Sequence, residues 1–440
     1  MAIETAKGVR DFPPAEKIVR ERIVNSLIRI FQRYGFNPLE TPTFERLDVI
    51  TAKFGAGETS DVAKEIFRFK DQGERDLGLR FDLTVPLSRF VAMNPTMKLP
   101  FKRYEIGRVY RDGPIKLVRY REFWQCDVDT VGVKGMAADA ELLLLALDAF
   151  KELGLDAYLV VNNRKLLFGI MEEAGVQDND MIPVITAIDK LAKIGKDGVR
   201  KELDQLDIPN LETERLFSLI DRKGEPQKLL EELEREVQSE KAKQGIAELR
   251  EVFSLLPPQT DIRISLSLAR GLGYYTSTIF EGFLKESPIT SSICGGGRYD
   301  NLIGMYLDNK REYPAVGISF GLEPIIEEFK RLKKTAEMTV TQLLVIPIQL
   351  KKDAAMLVQQ FRDQGINTEL DLMGKGISKA LDYANALKIP FVGILGPDEY
   401  SQGKIKIKDM NSGEEQILEF DDVVHVISER AAAQGAGKQI

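Results

Sequence analysis

The residues best able to do chemistry in this 440-residue chain are arginines, carboxylates and amides set two apart in strand-like sequence. In "RYREFWQCDVD", Arg119, Arg121, Gln125, Asp127 and Asp129 share one parity, while Trp124, Cys126 and Val128 share the other. Alternate residues of a strand point to opposite faces, so one face is apolar and the other carries cations, an amide and acids. Such a face is either a solvated surface dressed with ion pairs or a reader of charged small molecules. Asp82 and Thr84 in "LRFDLT" repeat the pattern, although a local turn or cap explains them equally simply. Arg270 follows an alternating apolar segment and precedes Gly-Leu-Gly-Tyr-Tyr, which suits a buried ion pair or a ligand clamp. Gly295, Gly296 and Gly297, ahead of Arg298 and Tyr299, permit either close approach of a ligand to the backbone or a bulge.

Composition narrows the chemistry. A single histidine, His425, argues against a Ser-His-Asp triad, a multi-histidine metal site and a Cys-His pair. It sits in the polar stretch "DDVVHVISER" and reads as a surface or packing residue. Cys126 and Cys294 are too few for a disulfide framework or a Cys-rich zinc site, and they point to a reducing compartment. Chemistry here must run on carboxylates, arginines and substrate groups. With 61 Lys plus Arg against 68 Asp plus Glu, the net charge is −7. No broad nucleic-acid-coating surface is implied, although a local basic patch could read one RNA. The N-terminus lacks an apolar signal core, and no apolar run nears the roughly 20 residues that span a bilayer. A cytoplasmic protein without membrane attachment is expected.

The elements that must position these groups can be read from periodicity. Glu16–Phe31 reads as an amphipathic helix, and Leu77–Met93 as a strand running into a helix with Pro86 near its start. Phe101–Val131 reads as an antiparallel pair of strands around the turn "DGPIKL", followed by a helix over Ala137–Leu155 and a buried strand "AYLVVNN". Residues 164–252 are helical and charged, like a module inserted between strand-rich halves. Ile262, Ile264, Leu266 and Leu268 alternate as in a strand. After the charged joint "FKRLKKTAEMT", strands and helices alternate in a small α/β domain with a mixed sheet over residues 339–429, and 430–440 read as a frayed tail. At this length two or three domains are expected: a body over residues 1–330, its insertion at about 164–252, and the α/β domain.

Taken in order, these segments resemble a histidyl-tRNA synthetase, a class II aminoacyl-tRNA synthetase, over essentially the whole chain. Motif 1 looks like "PLETPTFE", motif 2 is "RYEIGRVYR…RYREFWQCDVD", and motif 3 looks like "AVGISFGLEPI". "LARGLGYYTSTIFE" and "CGGGRYDNLIG" look like the two histidine-specific signatures, which separate this group from prolyl and threonyl relatives. The resemblance implies an α+β fold: an antiparallel sheet flanked by helices, a helical insertion and a C-terminal α/β anticodon-binding domain. It implies activation of histidine by ATP, with Mg²⁺ on the phosphates, and transfer to tRNA(His) by a homodimer.

By the same resemblance, Arg111 binds the α-phosphate and the substrate carboxylate, and Arg270 is the catalytic arginine on the opposite side of the reacting phosphate. Asp82, Leu83, Thr84 and Gln125 match the histidine-binding positions around the ammonium. Asp129 with Tyr274 and Tyr275 matches the imidazole pocket. Arg119, Arg121, Gly317 and Gly321 join Arg111 on the ATP side, and no resident metal ligand is implied. Lys404, Lys406 and Lys408 are candidates for tRNA contact, or equally for a solvated edge strand defended against aggregation.

Four positions depart from the family's pattern. Pro324 stands where motif 3 ends in an arginine that clamps the γ-phosphate, and Gly113 where an acid reads the adenine amino group. Gly273 replaces an aspartate, and Val118 replaces the glycine before "RYR". The losses fall mainly on the ATP side, so a second reading is a non-catalytic histidine sensor, like the regulatory subunit of ATP phosphoribosyltransferase. Such regulators typically lack the C-terminal domain.

Overall fold

Two ten-residue strands, Phe101–Tyr110 and Glu122–Val131, form the antiparallel hairpin around which the larger unit is built. Their aromatic and β-branched residues suit a pleated, half-buried surface. The computed structural model describes residues 3–52, 61–116, 118–209, 211–271, 273–307, 312–334 and 338–436. It divides into one unit of residues 1–10 and 23–328 and another of residues 11–22 and 329–440.

The first unit carries an eight-stranded sheet. Its strands run in the order Asn37–Pro38, Phe101–Tyr110, Glu122–Val131, Ala315–Gly321, Cys294–Arg298, Thr278–Leu284, Ala157–Asn163 and Ile262–Ile264. Every neighbouring pair is antiparallel except the two at the edges. The helix Ala137–Glu152 buries Leu142, Leu143, Leu145, Ala146, Ala149 and Phe150, an apolar stripe at helical spacing. Helix Thr84–Met93 begins where the Asp82 carboxylate accepts the Val85 N–H at 3.0 Å.

The last two strands of the sheet are parallel neighbours, which need a long crossover. The helices between Arg164 and Ser254 are that crossover. Glu248 on the last of them anchors it, accepting from Asn163 Nδ2 (2.8 Å), Lys165 Nζ (2.5 Å) and Ser277 Oγ (2.6 Å). Two strand expectations need correction. The segment after Asp261 is a strand only to Ile264, because Asn162 Nδ2 takes the carbonyls of Leu266 and Leu268 and turns the chain away. The second hairpin strand starts at Glu122, so Arg119 and Arg121 lie in the loop, where Lys116 and Arg119 form an isolated bridge.

In the second unit the sheet order is Thr368–Leu370, Leu343–Pro347, Phe391–Leu395, Lys404–Asp409 and Glu415–Glu419, the first three parallel and the rest antiparallel. Helices Lys351–Asp363 and Phe420–Ala436 cover one face through Leu357, Phe361, Val423 and Ile427. Helix Ile377–Ala386 covers the other through Ala380 and Ala384. The final helix runs to Ala436, into the stretch expected as a tail. Lys404, Lys406 and Lys408 lie on an interior strand, so the edge-strand explanation fails; Lys406 and Lys408 share Glu415 at 3.7 and 2.9 Å. His425 is exposed and faces Glu429 at 3.0 Å. Among the described residues no helix is long and apolar enough to cross a membrane.

One ion pair locks the strand Cys294–Arg298 to the helix beneath it. Arg298 and Asp139 are both buried and paired, with Thr278 also donating to Asp139. Arg298 further donates to the carbonyls of Val133 (2.9 Å) and Gly135 (3.0 Å). Breaking one side of such a pair strands the other charge, at a cost of about 3–5 kcal/mol. Asp139→Ala is therefore expected to lower the urea midpoint of the first unfolding transition by an amount matching about 3–5 kcal/mol. A loss below about 1 kcal/mol, the ordinary worth of an exposed pair, would mean that the pair does not hold the strand.

Candidate active site

Strand register dictates which side chains meet. Cross-strand partners share a face, so three rows cross the middle of the sheet. Gly107, Gln125 and Gly321 form one; Glu105, Asp127, Ser319 and Gly295 the next; Arg103, Asp129, Gly317 and Gly297 the third. Polar groups come from the hairpin, and small residues from the strands beside it.

Above this floor lies a cavity of about 770 Å³. Its lining includes Asp82, Thr84, Arg111, Gln125, Asp127, Asp129, Arg270, Tyr274, Tyr275, Gly317 and Gly321, each brought there by a different part of the chain. Of the residues expected at the site, Leu83, Arg119 and Arg121 do not line it. Leu83 is buried and gives its carbonyl to Arg103 at 3.0 Å. Arg119 pairs with Glu65 (2.9 Å) and Arg121 with Asp112 (3.0 Å), because the loop has left the strand's alternation before reaching them.

The glycines of the floor make room for the chain's own side chains, neither for a bulge nor for a ligand alone. Cys294–Arg298 is a regular, fully buried strand. A Cβ on Gly317 would overlap the Asp129 carboxylate, and one on Gly295 would overlap the Arg270 guanidinium. These two groups therefore lie flat on the sheet. Arg270 also pairs with Glu281, the next residue along Gly295's row, which sets its direction.

Arg111 comes to the cavity from the end of the first hairpin strand. Its Nε donates to the Phe81 carbonyl at 3.0 Å and its guanidinium stacks on Phe123 at 5.1 Å, leaving both terminal nitrogens without a hydrogen bond among the described residues. Burial lowers its pKa, with Asp82 and Glu65 opposing, and so far above neutrality it stays charged. Tyr274 and Tyr275 stack with ring centroids 4.2 Å apart, and burial pushes the Tyr274 hydroxyl up to about 12, so it remains a neutral donor. Asp129 accepts from Tyr299 Oη at 2.5 Å and pairs with Arg103 at 2.8 Å. Gln125 donates to Ser319 Oγ at 2.9 Å. One cavity thus gathers two cations, several acids and an amide, which suits a zwitterion beside a phosphate.

Sequence reasoning had no signal for Asp189, which enters the lining from the end of helix Met181–Ile188 in the inserted module. Ser319 and Tyr299 were also missed as site residues, although the "GISFG" and "GGGRYD" wording holds them. Asp127 was visible by parity with Gln125 and Asp129 but carried no role.

A family model described as histidyl-tRNA synthetase matches residues 8–325, and one described as anticodon binding domain matches residues 342–430. "Histidine--tRNA ligase 1" of Bacillus cereus is 39% identical over 94% of this chain and 97% of its own length. "Histidine--tRNA ligase" of Aeropyrum pernix is 39% identical over 96% and 97%. The crystal structure of histidyl-tRNA synthetase from Nostoc sp. PCC 7120 superimposes with a TM-score of 0.87 at 29% identity, covering 98% of this chain and all of the other. The chain belongs to the histidyl-tRNA synthetase family.

The departures from the histidyl-tRNA synthetase pattern have local explanations. At Gly113, the space that a side chain would fill is taken by the Glu65 carboxylate, so an acid stands there from another segment. Pro324 lies in the first turn of helix Leu322–Arg331, where its missing N–H costs nothing. The family's glycine before "RYR" is Val118 here, held at φ 56°, a left-handed conformation that β-branched residues rarely adopt.

Two predictions follow from this geometry. Val118→Gly should raise stability by about 1 kcal/mol by relieving that strain, read as a higher denaturation midpoint with an unchanged slope. Gly295→Ala should push Arg270 off the sheet at small cost in melting temperature. Histidine-dependent ATP–pyrophosphate exchange should then fall by roughly 100-fold, the scale for about an ångström of misplacement. Exchange at the parent rate would show that the close approach of Arg270 to the floor is irrelevant.

Proposed function

We propose that the chain is a histidine–tRNA ligase that activates histidine with ATP to histidyl-adenylate and transfers it to tRNA(His). One observation carries this reading: two arginines from separate segments, Arg111 and Arg270, line one cavity together with acids, amides and the glycines of the sheet. Membership of a family whose curated relatives match along nearly the full length supports it.

In activation an oxygen of the histidine carboxylate bonds to the α-phosphorus, the bond to the bridging oxygen breaks, and pyrophosphate leaves. Negative charge builds on the phosphoryl oxygens, so positioned cations are what the protein must supply. Arg111 binds the α-phosphate and the substrate carboxylate, and Arg270 meets the same phosphate from its other side. Asp82, Thr84 and Gln125 surround the α-ammonium, with Leu83 bracing this corner through Arg103. Asp129, Tyr274 and Tyr275 form the imidazole pocket. Gly317 and Gly321 border the ATP side. Arg119 and Arg121, outside the cavity lining, would reach ATP from the motif 2 loop.

Mg²⁺ would be held by the ATP phosphates themselves and would supply charge neutralisation there. Among the described residues no group of three or more His, Cys, Asp or Glu is placed to hold a metal ion. The catalytic body spans about 1–330 with its insertion near 164–252, and the domain at 339–429 reads the anticodon. The protein works in the cytoplasm as a homodimer, with motif 1 as the dimer element. The anticodon-binding match over 342–430 speaks against the histidine-sensor reading.

The experiment is histidine-dependent ATP–pyrophosphate exchange with purified protein and no tRNA. Exchange with histidine and no other amino acid is expected, and Arg270→Ala should slow it by at least about 100-fold with little change in melting temperature. Tight histidine binding without exchange would overturn the ligase reading and leave Pro324 and Gly113 as the marks of a lost ATP site.

A further inference from the structure

Arg270, Tyr274 and Tyr275 belong to one short segment, and the inserted module holds that segment at both ends. At the far end, Ser277 gives its hydroxyl to Glu248 (2.6 Å), and its carbonyl accepts the Arg164 N–H (2.8 Å). At the near end, the Gly271 carbonyl accepts the N–H groups of Tyr274 and Tyr275, each at 3.2 Å, closing a tight turn. A third donor reaches the same oxygen from outside the segment: Arg164 Nη1, also at 3.2 Å. Arg164 is the first residue of helix Arg164–Glu173, which opens the module, and its guanidinium stacks on Phe168 at 4.8 Å.

The turn has little slack. Gly271 is held at φ 63°, and a Cβ there would overlap the Tyr275 ring. The other edge of that ring lies against Gly297, where a Cβ would come within 2.9 Å of it. Tyr274 stacks on the same ring with centroids 4.2 Å apart. A shift of the Gly271 peptide therefore passes to Arg270, its neighbour in the chain, and through the Tyr275 ring to Tyr274. The two turn bonds are long for an N–H donor, whereas a charged donor makes a hydrogen bond about twice as strong as a neutral one. Arg164 thus supplies a restraint that the turn's own amides do not.

We propose that Arg164 is a positioning residue for activation: by holding the Gly271 carbonyl it fixes Arg270 against the reacting phosphate and keeps the tyrosine pair in place. The inserted module then acts on the chemistry through its first residue, which does not itself line the cavity. The inference rests on reading Arg270 as the catalytic arginine. Arg270 meets charge that builds in the transition state, so losing its placement lowers turnover more than substrate affinity.

The test compares Arg164→Ala, Arg164→Lys and Lys165→Ala in histidine-dependent ATP–pyrophosphate exchange and in hydrogen–deuterium exchange of peptides covering residues 273–277. Lys165 is the comparator because it shares the root of the module, pairing with Glu248 at 2.5 Å, and makes no bond to Gly271 among the described residues. Arg164→Ala should lower kcat by roughly 10-fold, with KM for histidine and for ATP within about threefold of the parent. Arg164→Lys should recover part of the rate, since it keeps a charged donor. Amide exchange at Tyr274 and Tyr275 should be about 10-fold faster in Arg164→Ala and unchanged in Lys165→Ala. A parental kcat or parental amide exchange in Arg164→Ala would overturn the proposal. So would an equal fall in kcat in Lys165→Ala, which would make any loosening of the module's root sufficient. If the parent shows no exchange with histidine, the ligase reading fails instead, and amide exchange at the two tyrosines still decides whether Arg164 holds the turn.

Discussion

The cleft depends on keeping one arginine charged inside the protein. Arg103 is fully buried, and burial alone would pull its pKa down, yet Asp129, Asp127 and Glu105 outweigh that and raise it. Its partners then reach through the surrounding elements. Arg103 pairs with Asp129 at 2.8 Å and donates to the Leu83 carbonyl at 3.0 Å, at the start of helix Thr84–Met93. Glu105 accepts from Arg80 at 2.9 Å and from the Thr41 N–H and hydroxyl at 3.0 and 2.8 Å. Arg80 in turn holds the carbonyls of Thr41 and Arg108. Each of these charges is expensive to bury and would be more expensive to leave alone. The network therefore ties the hairpin to the segments that deliver Asp82 and Thr84.

That network explains why the floor beside it is made of glycine. A sheet face that carries charged side chains must leave room for them to lie down toward a ligand, and Cβ atoms on the adjoining strands would lift them. Gly317 under Asp129 and Gly295 under Arg270 provide the room, and Glu281 steers Arg270. Mechanical anchoring is delegated elsewhere, to the buried Arg298–Asp139 pair at the end of the same glycine strand. A strand weakened by three consecutive glycines is thus held by an ion pair on its fourth residue after Cys294.

Much of this was legible from residue types because period-2 alternation and helical spacing are local signals. The hairpin, the helix after it, the helical crossover and the layout of the C-terminal sheet were all apparent. Errors arose where a distant partner decides. The alternation through Leu268 continues in sequence, but Asn162 ends the strand at Ile264. The parity that joins Arg121 to Gln125 crosses a boundary set by where the hairpin opens, so the arginines face Glu65 and Asp112 instead. Asp189 reaches the cleft only because six helices' worth of crossover folds back, and no local pattern announces that. The glycine triplet was ambiguous because close approach by the chain's own side chains leaves the same trace in sequence as close approach by a ligand.

The two acids on the hairpin mark the limit of pattern reading and the reason for it. Asp127 and Asp129 have the same type, parity and burial, and differ only in what crosses the sheet to meet them. Gln125 Oε1, Asp127 Oδ1 and Asp129 Oδ2 are all buried acceptors without a hydrogen bond among the described residues, although Asp129 also accepts from Tyr299 and lies at ion-pair distance from Arg103. Unmet acceptors reduce the stability of the free protein, and rigid neighbours prevent the chain from folding them away. Here the rigidity comes from the charge network itself, since Arg103 cannot move without stranding Asp129 or Glu105. The network that makes the hairpin costly to disturb is thus what keeps its remaining acceptors available to a substrate. Selectivity and positioning arise from the same buried charges.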